Sequence, residues 1–226
     1  MFTLPASVPT IMAALDMHGI PAFYDPADEL LIAHPAAVSR DKAMESEHIT
    51  IDLYGFDGAD SKPSGGLTAK GWSVNAEQHF VEEATVFEAL AGDPIAYLAP
   101  WGALAISQWL APARRTAGDV LRTALAQWNI TAHTDGLGMS YAVPMDPATP
   151  AEDVRNHLHL SVGDRNPSVE HVPAVHTGWT VWAHDENGEP VGDPVFISGN
   201  GGLVDCVADS AAAAEAIANY CTRPAH

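Results

Sequence analysis

Trp179-Thr180-Val181-Trp182-Ala183-His184-Asp185-Glu186-Asn187-Gly188-Glu189-Pro190-Val191-Gly192-Asp193-Pro194-Val195-Phe196-Ile197 is the stretch on which the fold turns. Two apolar runs, 179–183 and 194–197, flank a polar segment containing Asn187-Gly188. Asn-Gly tolerates the positive φ that a tight hairpin turn requires, so the stretch predicts two antiparallel strands. An earlier segment, Glu77–Leu90, is ambiguous, because Phe80, Ala84 and Phe87 also fall at helical spacing. Gly71-Trp72-Ser73-Val74 precedes it and resembles Gly178-Trp179-Thr180-Val181, which argues for a hairpin in both places.

The same resemblance extends outward as an internal repeat. Ile11–Leu15 with Ile20-Pro21-Ala22 matches Leu121–Leu125 with Ile130-Thr131-Ala132 at an offset of 110 residues. His48–Leu53 matches His157–Val162 at 109, Val86-Phe87 matches Val195-Phe196 at 109, and Ala105–Leu110 matches Ala216–Cys221 at 111. Order is kept and the offset drifts little. The chain therefore reads as two diverged copies of one unit, with domains expected at 1–112 and 113–226, packed as a pseudo-dimer.

Each copy opens with a short amphipathic helix, with Val8, Met12 and Leu15 in one and Leu121, Leu125 and Trp128 in the other. Gly19 and Asn129 stand where those helices should stop, both being residues that accept the left-handed cap conformation. Strands are expected near 20–24, 29–34, 47–54, 71–77, 84–90 and 94–99, with counterparts in the second copy. Closing helices are expected near 101–111 and 210–222. Helix, antiparallel meander, helix is an α+β arrangement with helices on one sheet face, and its other face is free to meet water.

The composition narrows function by exclusion. There are 226 residues with 29 acidic and 10 basic side chains, a formal net charge of −19 and a sequence pI near 4.6. A nucleic-acid binder needs clustered Lys and Arg, whereas the strongest basic run is Arg114-Arg115. Direct nucleic-acid binding is not expected. The acids are spread through both copies: residues 1–112 carry fifteen acids and four bases, the remainder fourteen and six. The start, Met1-Phe2-Thr3-Leu4-Pro5, lacks a basic region and an apolar run of signal type, and no stretch reaches the roughly 18 apolar residues of a membrane span. A cytoplasmic protein without a membrane partner is expected, its two cysteines, Cys206 and Cys221, being free buried thiols. Abundant alanine and scarce lysine fit a high-GC bacterial genome, and small acidic chains of this kind are common cargo of phages and plasmids.

Strand alternation identifies what the open face displays. In the second copy Leu158, Leu160 and Val162 are expected to face the helices, leaving His157, His159 and Ser161 outside. Trp179, Val181 and Ala183 are expected inside, leaving Thr180, Trp182 and His184 outside, with His133 beside them. The corresponding positions of the first copy hold Phe23, His48, Thr50, Asn75 and Glu77. The candidate binding residues are thus His133, His157, His159, Trp182 and His184. Three readings of them stay open. One is a recognition surface anchored by Trp182. A second is a metal-dependent hydrolase, with His157 and His159, a third nitrogen from His133 or His184, and Asp185 as a carboxylate. The third is an ordinary solvated sheet face.

Gly199-Asn200-Gly201-Gly202 lacks the Lys and Ser or Thr of a nucleotide cradle, Gly138–Ala142 lacks the second Gly of a nucleophile elbow, and Gly65-Gly66 reads as a flexible link. No cofactor is expected. The favoured expectation is a non-enzymatic interaction protein with a protein partner, one version being an inhibitor whose carboxylates imitate phosphates.

Overall fold

A computed structural model describes residues 7–54, 66–74, 80–89, 93–165 and 168–222. It divides into two compact units, Met1–Arg114 and Arg115–His226. Both are mixtures of helix and antiparallel sheet, so the protein is α+β.

The first unit runs α1 (Ser7–Met17), β1 (Ala22–Asp25), β2 (Leu30–Ala33), a single turn of helix α2 (Arg40–Ala43), β3 (His48–Tyr54), β4 (Gly66–Val74), β5 (Phe80–Ala89) and α3 (Ile95–Trp109). The second runs α4 (Ala117–Ala126), β6 (His133–Thr134), β7 (Ser140–Pro144), β8 (His159–Asp164), β9 (Trp179–His184), β10 (Phe196–Ile197) and α5 (Cys206–Cys221), with 3₁₀ turns at Ala151–Asn156 and Pro173–Val175. Each sheet has five antiparallel strands in sequence order. In each unit the opening and closing helices lie together, α1 against α3 and α4 against α5.

The opening helices stop in the same way. Gly19 and Asn129 both take positive φ, 67° and 56°. Ile20 N–H then reaches back to Leu15 O at 3.1 Å and Gly19 N–H to Asp16 O at 2.9 Å. Ile130 and Asn129 repeat those bonds on Leu125 and Ala126, both at 3.1 Å. This is the Schellman closure in both units, satisfying carbonyls the helix would otherwise leave open. At its start α4 has a full capping box, Thr116 Oγ1 accepting from Asp119 N–H and Asp119 accepting from Thr116 N–H.

Three sequence expectations change. The sixth strand expected at 94–99 is instead the start of α3, which Pro94 precedes and which carries Pro100 within it. Pro100 lacks the N–H that would bond Ala96 O, so the apolar run Ile95–Ala99 looks like a strand ended by proline, yet the helix continues through it to Trp109. Gly66 is the first residue of β4, paired with Tyr54, rather than part of a link. The third is register. Trp72 and Trp179, aligned by their Gly-Trp context, occupy opposite faces: Trp179 is fully buried in the core, while Trp72 is half-buried outside, its Nε1–H donating to Thr50 Oγ1 at 2.9 Å. In β4 it is Leu67, Ala69 and Gly71 that line the core. An odd shift of register exchanges the two faces of a strand, which is what the Gly-Trp match concealed.

Gly71 illustrates how closely the first unit is packed. A Cβ there would lie 2.4 Å from Trp109 Cζ2. The indole cannot retreat freely, because the Arg114 guanidinium sits 3.9 Å from its centroid while Arg114 Nε–H donates to Trp109 O at 2.8 Å and its other end pairs with Glu47. Gly71→Ala should therefore destabilise the first unit by about 2–3 kcal/mol, the cost of overpacking a filled core. Urea unfolding checks this, and an unchanged midpoint would mean that the indole moves without cost.

Candidate functional site

The sheet of the second unit brings most of the expected residues onto one face. Register pairs His133 with Ala142, Ala142 with Ser161 and Ser161 with Trp182, and in the next row Pro144 with His159 and His159 with His184. Direct cross-strand partners project to the same side, so His133, His159, Trp182 and His184 share the face turned away from α4 and α5. His159 and His184 rings stack with centroids 5.7 Å apart. His159 is buried, its Nδ1–H donating to His157 O at 2.8 Å, and burial holds its pKa below the ordinary histidine value despite that bond. His184 Nδ1–H likewise donates to Gly188 O at 2.8 Å. Trp182, His184 and His133 are half-buried.

His157 falls outside this group. It is exposed and precedes β8, as does Leu158, which is exposed rather than in the core. The pairing by context of His157 with His48 slips by two residues. His48 behaves like His159: its Nδ1–H donates to the carbonyl two residues back, Ser46 O at 2.8 Å, and its ring stacks on the next strand, on Trp72 at 6.3 Å. The first unit therefore carries its own histidine and tryptophan on the outer face, so that face does not distinguish the units as the sequence suggests. Asn75 and Glu77, the other first-copy positions compared, lie outside the described residues.

His133 also lines a pocket of about 500 Å³ at the β6 edge, with Trp128, Ile130, Pro144, Met145 and Ala218 among its walls. Among the described residues, no Asp, Glu, Lys or Arg contributes to it. A shallower depression containing His157 adjoins it through Met145 and Thr149.

What does distinguish the second unit is a buried polar cluster on the helix side. Asp164 ends β8, His171 and His176 lie in the β8–β9 connection, and Asp209 is in the first turn of α5. His176 is fully buried between two carboxylates, its Nε2 2.8 Å from Asp209 Oδ2 and its Nδ1 against Asp164 Oδ2. Burial works to lower its pKa, but the bonds to Asp164 and Asp209 outweigh this and raise it to about 9. Asp209 Oδ2 also accepts from Ser198 Oγ at 2.7 Å and Trp179 N–H at 3.0 Å. Burial opposes its ionisation, yet these donors hold its carboxyl below the ordinary value. Asp164 Oδ1 accepts from Thr177 Oγ1 at 2.6 Å, and Asp164 Oδ2 lies 2.9 Å from His171 Nε2. The His176 ring packs 4.6 Å from that of Trp179. Both its nitrogens are committed and it is closed to solvent, so it is not placed as a general base for a substrate.

Among the described residues, the group whose metal-ligating atoms gather within 4.8 Å is Asp164, His171 and His176, none of them in the set expected from the sequence. At an offset of 111, Asp209 and Ser210 fall on Leu98 and Ala99, and the first unit has no histidine between His48 and His79. Both thiols are free as expected; Cys206 is buried, which pushes its pKa up to about 12, and Cys221 is half-buried. Among the described residues no helix is long and apolar enough to cross a membrane. No known protein family, curated protein or solved structure matches the chain.

Proposed function

We propose that the chain is a non-enzymatic, acidic interaction protein, descended by duplication of one helix–meander–helix unit, whose second unit receives a protein partner. The observation that carries this reading is the pocket beside His133. In a chain of net charge −19, a concavity of about 500 Å³ with no charged wall residue among the described residues is suited to an apolar side chain. The acidic surplus of the chain favours a partner whose own rim is basic, including proteins that otherwise hold nucleic acid. Trp182 and His184 extend the same face away from the pocket.

Two variants test the reading. Trp128 is half-exposed at the pocket wall, so Trp128→Ala removes an aromatic anchor with little effect on the core. Thr149→Arg places a cation inside the pocket. Each should weaken capture of a basic partner by about 30-fold or more, the loss expected of a hot spot worth 2 kcal/mol. Binding should also fall steeply with salt. Unchanged capture by both variants would overturn the reading, while loss only in a Trp182→Asn, His184→Glu double variant would move the contact onto the sheet face.

A further inference from the structure

The buried cluster of the second unit poses a hydrogen-bonding conflict whose solution is chemical. Val172 O lies 3.0 Å from His171 Nδ1 and can only accept, so Nδ1 carries the proton and Nε2 of the neutral ring is a bare lone pair. Asp209 Oδ2 lies 2.8 Å from His176 Nε2, so that nitrogen donates, and Nδ1, which holds the second proton of the imidazolium, offers a lone pair once a metal ion displaces that proton. Both nitrogens face one oxygen, Asp164 Oδ2, which is itself an acceptor. With that proton displaced, three lone pairs converge in a site where the side chains of Asp164 and His176 are completely enclosed and that of His171 is only 8% exposed.

A cation among the three atoms removes the conflict. Every candidate ligand is also held from behind: His176 by Asp209, His171 by the Val172 carbonyl, and Asp164 by Thr177 Oγ1. Outer partners of this kind orient metal ligands in proteins and fix which histidine nitrogen is free. Two nitrogens and one carboxylate oxygen suit a zinc-class ion rather than magnesium or calcium, which take oxygen ligands. Bonds of about 2.0 Å in a tetrahedron put ligand atoms about 3.3 Å apart, so the 2.9 Å between His171 Nε2 and Asp164 Oδ2 needs to open by a few tenths of an ångström and the closer His176 Nδ1–Asp164 Oδ2 contact by more.

We propose that Asp164 Oδ2, His171 Nε2 and His176 Nδ1 bind a divalent transition-metal ion of the zinc class, which ties the β8–β9 connection to the end of β8 and, through Asp209, to α5. The enclosure of the ligands makes this a support for the fold. It is independent of the partner-binding pocket, and its failure would leave that reading untouched.

The test uses the untagged full chain, loaded with excess zinc chloride, desalted and analysed for metal. About one zinc per chain is expected, together with a higher melting temperature that a chelator reverses, since metal binding and folding are linked. His171→Ala removes one ligand at the solvent edge of the cluster and should reduce bound zinc at least tenfold while the far-ultraviolet circular dichroism stays native. His159→Ala, on the opposite sheet face, should keep the full complement. Zinc-loaded wild-type chain that retains no metal would overturn the proposal and leave protons as the cations between these groups. Full retention by His171→Ala would overturn it equally.

Discussion

Replacing Trp179 by alanine is expected to cost the second unit about 4 kcal/mol, near the upper end for a buried aromatic. Trp179 is the largest fully buried side chain and stands among Leu121, Val162, Val181 and Ile217, so its removal opens a cavity that strands on both sides and α5 cannot fill by a rotamer change. It also loses a bond, since the indole Nε1–H donates to Ser210 Oγ at 2.9 Å within the core. Small domains have only about 5–15 kcal/mol of stability, so the variant should lose a large share of it. Two further variants separate the contributions. Trp179→Phe keeps most of the ring but leaves the Ser210 hydroxyl with the weak contact to Cys206 Sγ at 3.9 Å, and Ser210→Ala strands the indole N–H. Each should cost about 1–3 kcal/mol, the penalty for a buried polar group without its partner. The double variant should cost less than the two single changes together, because neither partner is then left alone. Urea unfolding followed by circular dichroism measures all four, and strict additivity would show that the bond does not contribute.

What could be read from the sequence is what local chemistry decides. Gly19 and Asn129 announce the ends of α1 and α4 because only residues tolerant of positive φ serve there. The 179–197 hairpin is announced by its turn, where Gly188 takes φ 80° and Asp185 accepts from the N–H groups of Asn187 and Glu189. Alternation correctly places Trp182 and His184 opposite Trp179, Val181 and Ala183. It does not place strands of different units in phase, because every strand repeats after two residues; hence Trp72 was matched to Trp179 when its neighbour on the same face is His48. The Asp164–His171–His176–Asp209 cluster was invisible for another reason. Its members come from a strand end, an irregular connection and a helix start, which no periodicity links. The available signal was the pair His171 and His176 around Val172-Pro173-Ala174-Val175, in a region where the first unit offers no histidine.

The cluster also makes Asp209 an acid whose loss should cost more than that of an ordinary helix cap, and its neighbour Asp205 supplies the control. Both belong to the start of α5. Asp205 is an exposed N-cap whose Oδ1 accepts from Val207 and Ala208 N–H at 2.9 and 3.0 Å. Removing it should cost about 1 kcal/mol, as for an ordinary helix cap. Asp209 sits on the same turn and interacts comparably with the helix dipole, worth about 0.3–1 kcal/mol at such a site. The extra loss in Asp209→Ala therefore reports the network. That change leaves His176 Nε2, Ser198 Oγ and Trp179 N–H without their shared acceptor inside the unit, and should cost about 3–5 kcal/mol, as when one partner of a buried charged pair is deleted. Asp209→Asn keeps one acceptor oxygen but removes the charge facing His176, so its cost should fall between those of Asp205→Ala and Asp209→Ala. If the two alanine variants melt within a degree of each other, the carboxylate of Asp209 acts as a second cap and the cluster behind it does not hold α5 to the sheet.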